Sequence, residues 1–154
     1  MTSEDDLNSS KKIVSIRISS KHRNTIKYIG TRLLIKESKL YRLAINTLLS
    51  KLKKLNDPNF SGSDLLPLFL ELRGQFIEDL EIKTLHLFRI INKLNADPSK
   101  FVNMCDVELL LVPDHLLRER LSNQLDAQST KNIDVHLWLQ DYLLSKYGLV
   151  KSND

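Results

Sequence analysis

Hydrophobic and polar residues alternate over residues 11–18 (KKIVSIRI), the first regular pattern along the chain. One side of the pattern carries Val14, Ile16 and Ile18, and the other carries Ile13, Ser15 and Arg17. This two-residue period is typical of a β-strand with one apolar face, so the pattern predicts a strand here. The N–H and C=O groups of a strand need a partner strand, and the remaining patterns are almost all helical. The pattern therefore predicts that the partner strand comes from a second chain.

Two helical patterns follow the predicted strand, and no proline interrupts them. Ser19 or Ser20 can cap the first helix. Gly30 lies inside its apolar stripe at a cost of about 1 kcal/mol relative to Ala, which indicates that another backbone segment approaches closely. The second helix covers residues 36–55. The apolar faces of the two helices consist of Ile26, Ile29, Leu33, Leu40, Ala44 and Leu48.

Charge divides the 154-residue chain into three parts. Residues 1–10 contain three acids and no base, whereas residues 11–56 contain thirteen Lys and Arg residues against a single acid, a net charge of +12. Residues 57–154 contain ten bases and fifteen acids, a net charge of −5. A basic block beside an acidic remainder predicts a polyanion-binding module joined to a second part with another role.

The start of the second helix reads IKESKLYRLAI over residues 35–45, and Ser19 lies seventeen residues before Lys36. Together with the strand, the two helices and the basic surface, this segment resembles the ribbon-helix-helix DNA-binding family (MetJ/Arc/CopG type) over residues 11–52. The resemblance implies an obligate homodimer whose strands pair antiparallel into a two-stranded ribbon above four interlocked helices. The expected fold class is therefore mainly α, with this dimeric ribbon-helix-helix at residues 11–55.

The resemblance also implies roles for individual residues, because in the family the ribbon enters the major groove of DNA. The outward residues Ile13, Ser15 and Arg17 are expected to read bases, and Arg17 is the best candidate because a guanidinium can bond guanine O6 and N7 together. Phosphate contacts are expected from Lys11, Lys12, Lys21, Lys36, Glu37, Ser38 and Lys39. The dimer core is expected to contain Val14, Ile16, Ile18, Ile26, Ile29, Leu33, Leu40, Ala44 and Leu48. At the turn between the helices, Leu34 replaces the glycine of many members, so a left-handed residue there would be strained.

The second half of the chain has a different pattern. Pro, Gly, Asn and Ser are concentrated in residues 56–63, which predicts a linker. A helix is predicted across 77–94, because apolar residues recur there at intervals of three and four. Further helices are predicted from Pro113-Asp114 to Leu125 and from Ile133 to Tyr147, with Gly148 as a stop. We expect an α-helical interaction or oligomerisation domain of three or four helices over residues 64–150, and a disordered acidic arm at residues 1–10.

No set of residues in the sequence predicts catalysis. The four histidines lie far apart in the sequence, none is at metal-ligand spacing from Cys105, and no glycine-rich phosphate loop is present. We expect no enzymatic activity, no cofactor and no metal. The chain has no apolar run of about 20 residues, an acidic N-terminus and one cysteine, so we expect no membrane association and a cytoplasmic location in a bacterium, on the nucleoid or a plasmid.

Three functions agree with these observations. The first is a dimeric, sequence-specific double-stranded DNA-binding protein that regulates transcription, typically as a repressor, and that can form higher oligomers on DNA. The second is an accessory protein of a plasmid or mobile element, acting in a relaxosome, in partition or in copy control, that recruits a protein partner through residues 64–150. The third is an antitoxin whose C-terminal part binds a toxin.

Overall fold

The computed structural model describes residues 12–124 and 133–149, and all of the regular secondary structure in these ranges is helical. The α-helices are α1 (Ser20–Leu33), α2 (Glu37–Leu52), α3 (Leu66–Glu71), α4 (Arg73–Glu78), α5 (Thr84–Asn92), α6 (Met104–Leu111), α7 (Asp114–Gln124) and α8 (Val135–Lys146). Short 3₁₀ helices cover Lys53–Asn56, Gly62–Leu65 and Pro98–Lys100. None of the helices in these ranges is both long enough and apolar enough to cross a bilayer. The chain divides into two compact units, an N-terminal unit (Met1–Thr47) and a C-terminal unit (Leu48–Asp154).

The predicted β-strand over residues 11–18 is wrong, and with it the ribbon-helix-helix fold class. Residues 12–19 precede α1 without regular secondary structure, and the described part of the chain contains no strand or sheet. A strand exists only through hydrogen bonds to another strand. Within the described ranges, no backbone hydrogen bond joins residues 12–18 to another segment. Lys11 and the predicted acidic arm lie outside the described residues.

Helix α1 begins and ends with recognisable caps. The Ser19 hydroxyl accepts a hydrogen bond from the His22 N–H at 3.2 Å, which confirms the predicted N-cap. At the other end Leu34 is left-handed, with φ 55° and ψ 36°, and the N–H of Ile35 donates to the carbonyl of Gly30 at 2.9 Å. This is a Schellman motif with leucine at the position that favours glycine.

Gly30 lies where this turn comes close to helix α1. A Cβ atom at Gly30 would lie 3.0 Å from the carbonyl oxygen of Ile35, closer than real Cβ contacts normally come. The predicted close backbone approach is therefore confirmed, and the approaching segment is the turn between α1 and α2.

Six α-helices, α3 to α8, begin within the described residues of the C-terminal unit, rather than the three or four predicted. They enclose one continuous apolar core, to which every one of these helices contributes. Ser61, Gly62 and Ser63, in the segment predicted as a linker, are buried beside this core. The fully buried large side chains of the core include Leu66, Phe69, Leu87, Ile91, Leu110, Leu117, Leu139 and Leu143.

The single helix predicted across 77–94 is divided in two. Helix α4 ends at Glu78 and α5 begins at Thr84, because the carbonyl of Gln75 accepts hydrogen bonds from both Asp79 N–H (2.9 Å) and Leu80 N–H (3.2 Å). The chain then turns through Glu81, whose φ is 47°. The apolar spacing continues across the bend, since both short helices pack on the same core, and this continuity is why the periodicity predicted one helix.

The last helix is capped at both ends, and its C-terminal stop is the one predicted. The Asp134 carboxylate caps α8 by accepting from the N–H groups of His136 (3.0 Å) and Leu137 (3.2 Å). Gly148 is left-handed with φ 65° and stops the helix as predicted. The N–H of Leu149 donates to the carbonyl of Leu144 at 2.7 Å, which forms a second Schellman motif, here with glycine at the left-handed position.

Two buried charged residues tie these helices together. Arg73 of α4 is 5 % exposed, and its guanidinium donates to the carbonyls of Leu110 (3.0 Å) and Val112 and to the carboxylate of Asp114. Because a buried guanidinium is costly unless its donors are satisfied, these contacts fix the segment between α6 and α7 against α4.

The second is Asp106 of α6, which is 1 % exposed and holds α8. Its carboxylate accepts hydrogen bonds from the hydroxyls of Tyr147 (2.6 Å) and Tyr142 (3.1 Å), and it pairs with the ammonium of Lys146 at 2.7 Å. The hydrogen bond to Asp106 raises the pKa of Lys146, and burial followed by the bond to Asp106 raises the pKa of Tyr147.

Candidate nucleic-acid interface

The N-terminal unit displays a dense set of positive charges. Its described residues, 12–47, contain nine bases and one acid, Glu37. All nine bases are exposed, and none forms an ion pair with another described residue. They are Lys12, Arg17, Lys21, Arg23, Lys27, Arg32, Lys36, Lys39 and Arg42. A surface of this kind attracts a polyanion, and each base that meets a phosphate releases a counterion.

The three predicted base-reading residues lie in the segment before α1. Ile13, Ser15 and Arg17 are all exposed, Ile13 almost completely at 98 %. Arg17 forms no ion pair with another described residue, and the segment that carries it is not a strand.

The alternate residues of the same segment share one apolar groove. Val14, Ile16 and Ile18 line a surface cavity of about 720 Å³ together with Tyr41, Ala44 and Ile45 of α2 and the charged side chains of Arg23 and Glu37. The base-reading candidates are not among the lining residues. The period of two thus separates the segment into two sets of side chains even without a strand.

The sequence interpretation did not assign Tyr41 and Ile45 to this apolar surface. They lie four residues apart on α2, one turn of the helix, and Ala44 stands between them. This four-residue spacing was the sequence signal that could have assigned both residues to the apolar surface. It was missed because the stripe through Leu40, Ala44 and Leu48 accounted for the apolar face of the helix without them.

The predicted phosphate-binding residues fall at two places. Lys36, Glu37, Ser38 and Lys39 lie together at the start of α2, where all but the half-buried Glu37 are exposed. Free N–H groups and the positive end of the helix dipole favour an anion there. Lys12 and Lys21 are exposed in the segment before α1 and in its first turn, and Lys11 lies outside the described residues.

The residues predicted for the dimer core are largely uncovered in the single chain. Ile26 and Leu40 are half-buried, and the other predicted core residues are exposed: Val14, Ile16, Ile18, Ile29, Leu33, Ala44 and Leu48. Among residues 12–47 only Gly30 is buried. Residues 12–47 therefore combine a basic surface without ion pairs to other described residues and an apolar surface that is largely uncovered.

The C-terminal unit brings together two histidines that are distant in sequence. His115 at the start of α7 and His136 at the start of α8 line a cavity of about 530 Å³ beside Arg73 and Arg118. No group of three or more His, Cys, Asp or Glu side chains in residues 12–124 and 133–149 is placed to hold a metal ion. Cys105 is exposed and lies apart from this cavity.

The candidate interface is the basic and apolar surface of residues 12–47. Comparison of the chain with protein-family models, with curated proteins and with solved structures found no match.

Proposed function

We propose that the protein binds double-stranded DNA as a homodimer through residues 12–47 and regulates transcription, as a repressor. The observation that carries this proposal is that residues 12–47 combine nine exposed bases and a single acid with large apolar side chains of which none is buried. The positive charge supplies the attraction to phosphate. The uncovered apolar residues supply the reason for a second copy.

The case for a second copy rests on size and burial. A segment this short rarely buries enough apolar surface to fold alone. Val14, Ile16, Leu33 and Leu43 are each more than half exposed, and such an apolar surface on a soluble protein marks an interaction site. A two-fold dimer covers the same surface of both chains at once and presents two equivalent basic faces to DNA.

Within this proposal the exposed segment before α1 supplies sequence preference and the start of α2 supplies register. Arg17 contacts base edges in the major groove, because a guanidinium can make two hydrogen bonds to guanine. Lys36 and Lys39 contact phosphate, which positions the protein without reading sequence. A dimer of this kind predicts an operator of two related half-sites.

The test is fluorescence anisotropy with labelled DNA from upstream of the protein's own gene and a scrambled duplex of equal length, across a salt series. Wild type is expected to prefer the upstream DNA. Arg17→Ala is expected to lose about 1–3 kcal/mol of that preference, whereas Lys36→Ala weakens binding to both duplexes and lowers the salt slope by about one.

Arg120→Ala, on the C-terminal unit, is the matched control and is expected to behave as wild type. Sedimentation velocity on the same samples reports whether DNA-binding species are dimers. Equal binding of both duplexes by wild type and Arg17→Ala would show an unspecific electrostatic surface. A monomer that binds the upstream DNA selectively would remove the dimer from the proposal.

A further inference from the structure

The outer side of helix α5 in the C-terminal unit carries a second groove, unrelated to the DNA-binding surface proposed above. This cavity of about 750 Å³ is lined by the apolar side chains of Phe88, Ile90 and Leu94 and by the basic side chains of His86, Arg89 and Lys93. Leu94 is 61 % exposed, and both Arg89 and Lys93 are exposed. Apolar and cationic side chains thus share one face.

Helix α5, which forms the floor of the groove, is held firmly against the core. The opposite side of α5 is anchored by Leu87 and Ile91, which are completely buried in the core. The side chain of Asn92 donates to the carbonyl of Val102 and accepts from its N–H, both at 3.0 Å. The rings of Phe88 and Phe101 meet edge to face with centroids 5.8 Å apart. A groove on a helix held this firmly is preformed, which lowers the entropy cost of binding.

The charge around the groove is opposite to that of its surroundings. Residues 82–96 contain Lys83, Arg89 and Lys93 and no acid. The other described residues of the C-terminal unit contain eight bases and thirteen acids. Neither Arg89 nor Lys93 forms an ion pair with another described residue, so both charges are available to a ligand.

The mixture of side chains decides which class of ligand fits. A phosphate backbone would pair with Arg89 and Lys93 but would leave Ile90 and Leu94 against water, and the acidic remainder of the unit repels nucleic acid. An amphipathic peptide helix with leucines flanked by Glu or Asp satisfies both kinds of side chain, because its apolar face fills the groove while its carboxylates reach the bases. Helix α5, with nine residues, is about 14 Å long and offers room for two to three turns of such a helix.

We infer that this groove docks an acidic, leucine-containing helical segment of a partner protein. Because Arg89 and Lys93 are cationic, the peptide must carry carboxylates. Because Phe88, Ile90 and Leu94 are apolar, the peptide must also present an apolar face. The inference stands independently of the DNA-binding proposal, since the two surfaces share no residue. A DNA-bound dimer with this groove would recruit such a partner to the DNA site.

The experiment uses the full chain and a fluorescein-labelled model peptide with Leu at i, i+3, i+4 and i+7 and Glu and Ala elsewhere. The control peptide carries Lys in place of each Glu. Binding of the Glu peptide is expected by anisotropy, and binding of the Lys peptide is not. The double variant Arg89→Glu/Lys93→Glu is expected to weaken binding at least about tenfold, because it removes the charge attraction to the peptide carboxylates. Leu94→Gln is expected to weaken binding at least about threefold, because it removes an apolar contact.

Arg118→Glu/Arg120→Glu places the same charge change on α7 and is expected to bind the Glu peptide like wild type. Circular dichroism confirms that each variant is folded, and binding of upstream DNA by each variant is measured in parallel, so that loss of DNA binding is distinguished from loss of peptide binding. No binding of the Glu peptide, equal binding of both peptides, or equal loss in the two double variants would overturn the inference. Binding of anionic lipid vesicles or of scrambled DNA through Arg89 and Lys93, with no peptide binding, would assign the groove to another ligand and overturn it as well.

Discussion

The two units of this protein differ in how far they bury their apolar side chains. The C-terminal unit has a continuous core of buried leucines, valines and phenylalanines, in which Leu66, Ile91 and Leu139 are completely buried. The N-terminal unit has apolar residues at helical and two-residue spacing, yet buries only Gly30 among residues 12–47. The C-terminal unit thus buries a core within one chain, whereas residues 12–47 of the N-terminal unit leave their apolar side chains largely uncovered.

Charge follows the same division. In the C-terminal unit, bases and acids meet in ion pairs, such as Lys51 with Glu71 at 2.6 Å and Lys100 with Asp64 at 2.7 Å. Within residues 12–47 of the N-terminal unit, nine bases repel one another with only Glu37 to offset them. This surface exposes apolar side chains, and its positive charges repel one another. Both features are explained if the surface binds one apolar partner and one anionic partner. This difference between the units can be tested by making the same change in each.

The largest expected effect comes from deleting one leucine side chain in each unit. Leu139→Ala is expected to destabilise the C-terminal unit by about 2–5 kcal/mol, because it opens a cavity in a filled core. Leu33 is 57 % exposed in the single chain, so Leu33→Ala is expected to matter only when the dimer forms, by about 1–2 kcal/mol. Urea unfolding followed by circular dichroism at low and high protein concentration measures both.

The cost of Leu33→Ala should rise with protein concentration and that of Leu139→Ala should not. A Leu33→Ala variant indistinguishable from wild type at every concentration would contradict the covered apolar surface in the N-terminal unit.

The next effect concerns two glycines of the C-terminal unit. Gly62 has φ 59°, and a Cβ there would lie 2.2 Å from the carbonyl oxygen of Lys100, so Gly62→Ala is expected to cost about 3 kcal/mol or more. Gly74, within helix α4, has no atom within 4 Å of its Cβ position. Gly74→Ala is therefore expected to stabilise the unit by about 1 kcal/mol. Thermal unfolding of both variants tests the pair, and a tolerated Gly62→Ala would show that the predicted linker is not fixed to the core.

A smaller effect contrasts the two Schellman motifs. Leu34 in the N-terminal unit and Gly148 in the C-terminal unit are both left-handed, but only glycine adopts this conformation without strain. Leu34→Gly is expected to stabilise its unit by about 1 kcal/mol, and Gly148→Ala, which meets no neighbouring atom, is expected to destabilise by a similar amount. Urea unfolding measures both.

Leu34 is 91 % exposed, so this strained leucine contributes no burial to its own chain. If Leu34→Gly instead lowers stability in the dimer, the side chain is covered by the second copy, and the apolar surface proposed for dimerisation extends to the turn between α1 and α2.

The smallest effect is an alkaline loss of stability confined to the C-terminal unit. The folded-state pKa values of Lys146 and Tyr147 are raised above their ordinary values of 10.5 and 10.0. A raised pKa contributes stability that is complete below the unfolded value and disappears as pH rises toward the folded one. Unfolding free energy is therefore expected to fall as pH rises above about 10, modestly, because Lys146 is partly exposed.

Urea unfolding of wild type and of a Tyr147→Phe/Lys146→Met variant at about pH 8 and about pH 11 checks this effect. The variant should lose less stability than wild type between the two pH values. An identical loss in both proteins would mean that the contacts around Asp106 do not govern the alkaline response.

Several helix caps and stops could be predicted correctly from the sequence. Ser19 caps α1, Asp114 begins α7 and Gly148 stops α8, because caps and stops depend on hydrogen bonds within a few residues. The strand over residues 11–18 failed for the opposite reason. Its hydrogen-bond partner would have to be distant in sequence or in another chain, and a period of two does not supply one. For the candidate site, the basic residues could be listed from the sequence, but the apolar groove beside them could not.

By itself, the sequence determined where charge accumulates, where α1 and α7 begin and where α8 ends, since these follow from composition and short-range spacing. Only the tertiary structure decided that the periodic run from Ile77 to Leu94 bends at Glu81, that Arg73 and Asp106 are buried, and that α5 presents a cationic groove. Each of these depends on contacts between segments far apart in the chain, whose free energy no local pattern contains.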